Sequence, residues 1–448
     1  MRARTLIKNI SVVNEGRITI ADLLIDNRLI QKIGSINSES KATVIDGTGK
    51  YLFPGIMDAQ VHFREPGLTH KGDLYTESKA AVAGGVTSFI DMPNTIPNAL
   101  TIDILNEKYR IASEQSLANF GFFLGVNSDN IDEVLKLDTT KLLGVSDDGL
   151  YFTKKGNLLA DNPETMEKLF ANCKAIIVIH SEKEQMVEEN ESFYREKYGE
   201  NIPIEFHPLI RSEKACYEAT KRAIDLAGKY NARLHILHLS TEAETHLFRN
   251  DIPLQQKNVT TEVSVHHLWF SDKDYKRLGS LIKWNPAIKT EKDRLGLLKA
   301  LLDDRIDIVT TDHAPHTMEE KQKPYFESMS GAPMVQHSLN IMLEFHKQGL
   351  ISLEKIAEKM CHNPAILYRI EKRGFILEGY FADLTIVDLH SSWAVSKENI
   401  LYKCGWSPLE GTTFQSKVTH TFVNGNLIYE SGLFNEEVKG KALAVADN

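Results

Sequence analysis

At 448 residues the chain exceeds one average domain, and 42% hydrophobic with 25% charged residues is ordinary for a soluble globular protein with a large core. A formal charge of −9 argues against nonspecific binding to nucleic acid, while leaving room for a local basic pocket that takes a small acidic molecule. Cys173, Cys216, Cys361 and Cys404 are scattered without a CxxC pair, so neither a zinc ribbon nor a disulfide framework is expected and the thiols are read as reduced.

The N-terminal stretch Met1 to Asn9 is basic, but polar residues follow it where a signal sequence would have an apolar core. No segment approaches the roughly 18 apolar residues of a membrane span, so a cytoplasmic enzyme without a membrane partner is expected. Residues 6–13 and 21–33, with a turn near Asn27-Arg28, alternate apolar and polar side chains as half-exposed strands do.

From residue 55 the pattern changes. Eight short apolar runs, 55–62, 86–91, 120–126, 142–148, 175–180, 234–238, 259–267 and 306–312, each end in or directly before a polar or metal-seeking residue. Most are separated by enough chain for a helix, the alternation that builds a parallel sheet, and eight such units fit one closed (β/α)8 barrel of TIM type. In that barrel the carboxyl ends of all strands meet on one rim, so His62, Asp148, His180, His238 and Asp312 would share a mouth. An open doubly wound sheet would spread them along a crevice.

Between the runs, residues 80–85 read as a helix end, with Gly84-Gly85 where the chain must turn left-handed. The charged stretch 182–200 reads as a solvated helix. The polar loop 319–331 either closes over a bound molecule or only connects. Beyond the barrel, 382–387 and 417–428 alternate again, and Asn424-Gly425 supplies a hairpin turn. The two chain ends, 1–53 plus 374–448, are expected to pack as one small β domain flanking a barrel over 54–373. Two separate hairpins are the less favoured arrangement, because an isolated hairpin is marginal in water.

The rim residues suggest chemistry. Attack on an unactivated amide needs a strong nucleophile, and a divalent metal supplies one by lowering the pKa of bound water to about 7. Imidazole and carboxylate are the ligands zinc accepts for this when no thiolate is present. A lone histidine such as His180 after an apolar strand is more often a satisfied core residue. His238 repeats the arrangement on the next run, which changes the odds. His235 and His238 are not expected both to point inward, their separation being odd. Asp312 at the end of the eighth run can bind metal and exchange a proton; its bland alternative is a helix N-cap.

The segments Gln60-Val61-His62-Phe63-Arg64-Glu65-Pro66-Gly67, Met92-Pro93-Asn94-Thr95, Ser146-Asp147-Asp148-Gly149, Trp284-Asn285-Pro286 and Thr311-Asp312-His313-Ala314-Pro315-His316 resemble those of dihydroorotases in the amidohydrolase superfamily, over nearly the whole barrel. The resemblance implies that His62 and Asp312 bind a first metal, that His180 and His238 bind a second, and that Asp148, in preference to Asp147, bridges them. It implies further that Arg64, Asn94 and His316 hold a substrate carboxylate and Asn285 the ring. Arginine's planar fork suits a carboxylate, whereas the two asparagines donate and accept without adding charge. Taken singly, Arg64 reads as an ordinary ion pair with Glu65 or Glu77, and Asn94 as a turn residue. His266-His267, on the seventh run, either orients a ligand through a hydrogen bond or packs structurally.

One position departs from the family pattern. The first-strand motif carries two histidines, but here Gln60 stands in place of the first, and an amide oxygen is a weaker zinc donor than imidazole. The resemblance implies one or two Zn2+ per chain and a reversible hydrolysis of dihydroorotate to N-carbamoyl-L-aspartate in pyrimidine synthesis, acting on a small anionic cyclic amide. Three alternatives stand beside it: a hydantoinase, an allantoinase, and a noncatalytic scaffold for aspartate transcarbamoylase. A homo-oligomer is left open.

Overall fold

The computed structural model describes residues 4–37, 42–150, 159 and 162–446. The outermost residues of the expected small domain, 1–3 and 447–448, lie outside them. The eight runs form the strands Ile56–Val61, Val86–Asp91, Asn119–Phe122 continuing as Leu124–Gly125, Val145–Ser146, Ile177–Ile179, Leu234–Ile236, Val259–Ser264 and Ile308–Thr310, each parallel to the next. The barrel closes where Val61 bridges His313 and the His62 amide donates to the His313 carbonyl at 2.7 Å. Thr311 tightens this seam, its amide and hydroxyl donating to the Asp58 carboxylate at 3.1 and 2.6 Å.

The barrel interior is filled by inward residues such as Met57, Ala59, Ile90, Phe123, Val178 and Ile308, and Leu367, Tyr368 and Ile370 plug its lower end. Helices pack outside it with local signals at their ends. Leu74–Ala83 starts from a capping box at Asp73 and ends at Gly84, after which Gly85 takes the expected left-handed turn at φ 86°. Glu213–Tyr230 is capped by Ser212 and stopped by left-handed Asn231, and buries the small residues Ala215, Ala219, Ala223 and Ala227 as a stripe.

A second sheet of nine strands joins the two chain ends: Tyr51–Pro54 lies between Arg4–Asn14 and Leu384–Asp388, parallel to the former and antiparallel to the latter. Its hairpins turn at Asn27 (φ 61°), and at Asn424 and Gly425 (φ 50° and 76°). The two turns touch, since a Cβ on Gly425 would stand 2.1 Å from the Asn27 carbonyl oxygen. The C-terminal portion does not all join this sheet. The hairpin Trp393–Ala394 with Thr413–Phe414 packs on the barrel helix Ser338–Lys347, and residues 440–443 run beside Asn119–Phe122, with Leu443 N donating to Phe120 O at 2.8 Å.

Three further expectations need correction. The solvated helix is Glu184–Tyr198, so Glu182 lies before it and is buried at 1% exposure. The seventh strand ends at Ser264, which puts His266 and His267 in the short helix Val265–Trp269. His235 and His238 both face the interior: His235, in register with inward Val178, donates from Nε2 to Glu262 Oε2 at 3.0 Å, whereas the strand has ended by His238, whose φ of 32° breaks the alternation. All four cysteines are free, and no helix among the described residues is long and apolar enough to cross a membrane.

Candidate metal centre and active site

The strand ends deliver two clusters of ligand atoms that share one carboxylate, Asp148 with His180 and His238, and Asp148 with His62 and Asp312. All five residues are buried. His62 Nε2 lies 3.1 Å from Asp312 Oδ1 and 3.3 Å from Asp148 Oδ2. His180 Nδ1 lies 3.1 Å from His238 Nε2 and 3.7 Å from Asp148 Oδ1. Asp147 turns away: its two oxygens accept from Leu159 N at 2.7 Å and His180 N at 3.1 Å, which holds the strand ends in place.

Each histidine is oriented by a neighbour. His62 Nδ1 donates to Asn94 Oδ1 at 2.8 Å, leaving Nε2 for the cluster. His180 Nε2 donates to Glu182 Oε2 at 2.8 Å, leaving Nδ1, and Arg211 pairs with the same carboxylate oxygen. Glu182 was hidden in the sequence because it opens a charged run. The only signal was its place two residues after His180. Burial would depress the pKa of His62, but Asp148 and Asp312 outweigh it and raise it to about 10. His180 is raised to about 9, with Asp148 and Glu182 again outweighing burial. Burial pushes Asp312 up to about 6, while His62 restrains the rise. Asp148 stays well below the carboxylate range despite burial, because His180 and His62 both face it.

The donor set fits a divalent metal. It is imidazole and carboxylate without thiolate, and two buried atoms beside it, Gln60 Oε1 and His238 Nδ1, have no hydrogen-bond partner among the described residues. Gln60 Nε2 is 3.5 Å from Asp148 Oδ2.

A small cleft opens on this centre, lined by His62, Arg64, Asn94, Asp148, Trp284, Asn285, Asp312, Ala314, Ser330 and Gly331. Arg64 makes no pair with Glu65 or Glu77. Glu65 caps Leu74 N and Glu77 pairs with His313 Nε2 at 2.9 Å, while Arg64 Nε donates to Pro315 O at 3.1 Å and Nη2 to His316 Nε2 at 3.1 Å. His316 therefore stands behind Arg64, with Lys71 Nζ 3.0 Å from its Nδ1. Asp312 is no helix cap, since Thr317 caps the next helix, Met318–Lys321. His266 stacks on Trp284 at 4.0 Å and its Nδ1 lies 3.3 Å from Thr311 O, so it packs behind a residue that lines the cavity.

The loop 319–331 is fixed to the barrel. Lys321, fully buried, donates to Met329 O and Gly331 O at 2.8 and 2.7 Å, and Lys283 to Tyr325 O and Ser328 O at 2.6 Å each.

Residues 51–428 match the amidohydrolase family. The chain belongs to that family. A dihydroorotase of Methanosarcina acetivorans is 32% identical over 417 residues, 90% of this chain and 88% of its own length. One of Pyrococcus abyssi is 32% identical over 397 residues, 88% and 86% of the two chains. Among solved structures, an L-hydantoinase (dihydropyrimidinase) from Arthrobacter aurescens superposes with a TM-score of 0.90 at 25% identity, covering 99% of this chain and 100% of that one. As an amidohydrolase the chain is a metal-dependent cyclic amidase, and the expected barrel with its flanking β structure is the family's architecture.

Proposed function

We propose that this amidohydrolase is a zinc-dependent dihydroorotase, reversibly opening dihydroorotate to N-carbamoyl-L-aspartate in pyrimidine synthesis. What supports this most directly is an arginine beside a metal-type centre in one small cavity: Arg64, with Asn94, suits a cyclic amide that carries a carboxylate. The relatives of similar length named dihydroorotase point the same way.

Asp148, His180 and His238 would hold one ion, with His62, Asp312 and Gln60 beside a second position. A divalent metal there supplies an activated water and polarises the ring carbonyl. The remaining work falls to the chain. Arg64 and Asn94 fix the substrate carboxylate, with His316 bracing Arg64 from behind, and Asn285 takes a polar edge of the ring. Asp312 Oδ1 accepts the proton of the attacking water and passes it to the ring nitrogen as the C–N bond breaks. Ring closure runs the same path backwards, so the one carboxylate serves as both base and acid. The pinned loop and Trp284 keep bulk water out.

The test is an assay of the purified protein on dihydroorotate, hydantoin and allantoin. Turnover of dihydroorotate, lost in Asp312→Asn with the circular dichroism unchanged, is expected. Preference for hydantoin or allantoin would favour the readings suggested by the L-hydantoinase likeness. No turnover with any added divalent metal, together with a stable complex with aspartate transcarbamoylase, would favour the scaffold.

A further inference from the structure

We propose that the two metal positions are unequal in this chain and that Gln60 is the cause: the ion among Asp148, His180 and His238 is tight, and the one beside His62 and Asp312 is weak and exchangeable. This rests on reading the two clusters as metal positions. Ligand spacing does not separate them. A tetrahedral ion with bonds of about 2.0–2.1 Å sets its ligand atoms roughly 3.3 Å apart. The 3.3 and 3.1 Å separations around His62 and the 3.1 and 3.7 Å separations around His180 all lie within about 0.4 Å of that value.

The donors do separate them. The tight cluster has two imidazoles, one of them braced by Glu182, and one carboxylate, whereas the other has one imidazole and two carboxylates, with the amide of Gln60 beside it where a second imidazole is missing. Neither cluster contains any further His, Cys, Asp or Glu among the described residues. Gln60 is fully buried, with Nε2 3.5 Å from Asp148 Oδ2 and Oε1 unpartnered.

An amide presents nitrogen and oxygen in nearly the same shape, so both orientations bear on the ion. With Nε2 toward Asp148, Gln60 donates to the oxygen that an ion beside His62 would use, and competes with it. With the amide turned over, Oε1 faces Asp148 Oδ2, an arrangement stable only with a cation between them, and a neutral carbonyl oxygen binds zinc less strongly than imidazole does. Either way the position beside His62 loses affinity, and His180 and His238 are untouched.

Elemental analysis of protein purified without chelator, followed by dialysis against buffered free zinc, tests this. Wild type should retain one zinc and take up a second only at higher free zinc. Gln60→His should retain two. His62→Asn should still retain one, and His180→Asn should lose it. Two equally tight zincs in the wild type, or a retained zinc lost in His62→Asn and kept in His180→Asn, would overturn the inequality while leaving the hydrolase reading intact. A chain that binds no zinc at either position overturns both, and because the wild-type titration alone measures the inequality, a poorly folding variant does not obscure it.

Discussion

Arg64, His238 and Asp312 share an uncommon backbone state, with φ of 69°, 32° and 46°. Side chains other than glycine reach this region at a cost of order 1–3 kcal/mol each, and keep it only where the surroundings over-determine it. Here the left-handed step turns each side chain off its strand direction, Arg64 and Asp312 into the cavity and His238 onto His180 and Asp148. His62, Asp148, His180, His238 and Asp312 were legible in the sequence because ligand-type residues ended apolar strands. The inward turn of His238 was not, since odd spacing along a strand argued against it and only the backbone past Ile236 resolves it. Glu182 was equally illegible, because its burial depends on His180 and Arg211 reaching it from other elements. Replacing Glu182 by Gln keeps the shape but removes the charge that anchors His180. Zinc affinity should fall roughly 10- to 100-fold, read by competition with a chromophoric chelator. An unchanged affinity would make Glu182 a packing residue only.

The turn after the fourth barrel strand shows how an element's conformation serves the centre. Gly149 has φ 71°, and a Cβ there would stand 2.0 Å from Asn94 Nδ2. Gly149→Ala should therefore push Asn94 off His62, lowering kcat/KM by roughly tenfold or more, besides a backbone cost of about 1–2 kcal/mol. If the damage runs through Asn94, then Asn94→Ala in the Gly149→Ala background should add little further loss. Additive losses would refute that route. At this scale the alternation of strands and helices and the Asn424-Gly425 hairpin were readable from local pattern. The state of the loop 319–331 was not, because Lys321 looks like any surface lysine in sequence, yet its ammonium is buried against three carbonyls. A lysine that satisfies backbone acceptors from inside leaves no pattern of its own.

Across the whole molecule, the ion and the proton compete for the same imidazoles. Without metal, His62 and His180 have pKa values raised from 6.5 to about 10 and about 9, the carboxylates beside them outweighing burial. A histidine whose folded pKa exceeds its unfolded value adds stability that is complete below the unfolded value and is lost as pH rises through the folded one. Melting temperatures in EDTA should therefore fall between about pH 7 and 10. In zinc they should hold, because the ion has replaced the protons, and zinc affinity should rise over the same range. Zinc at a hundred times its Kd adds about 2.7 kcal/mol to stability. An EDTA series flat with pH would contradict this coupling of protons to fold.

The nine-stranded sheet also has a bearing on synthesis. Tyr51–Pro54 completes its pairing only with Leu384–Asp388, and the entire barrel is translated between them. On the ribosome the early strands must wait with one edge open, and their register with the late ones is set after everything else has emerged. A nascent chain halted before residue 384 would carry that bare, apolar edge, open to pairing with a strand from another chain.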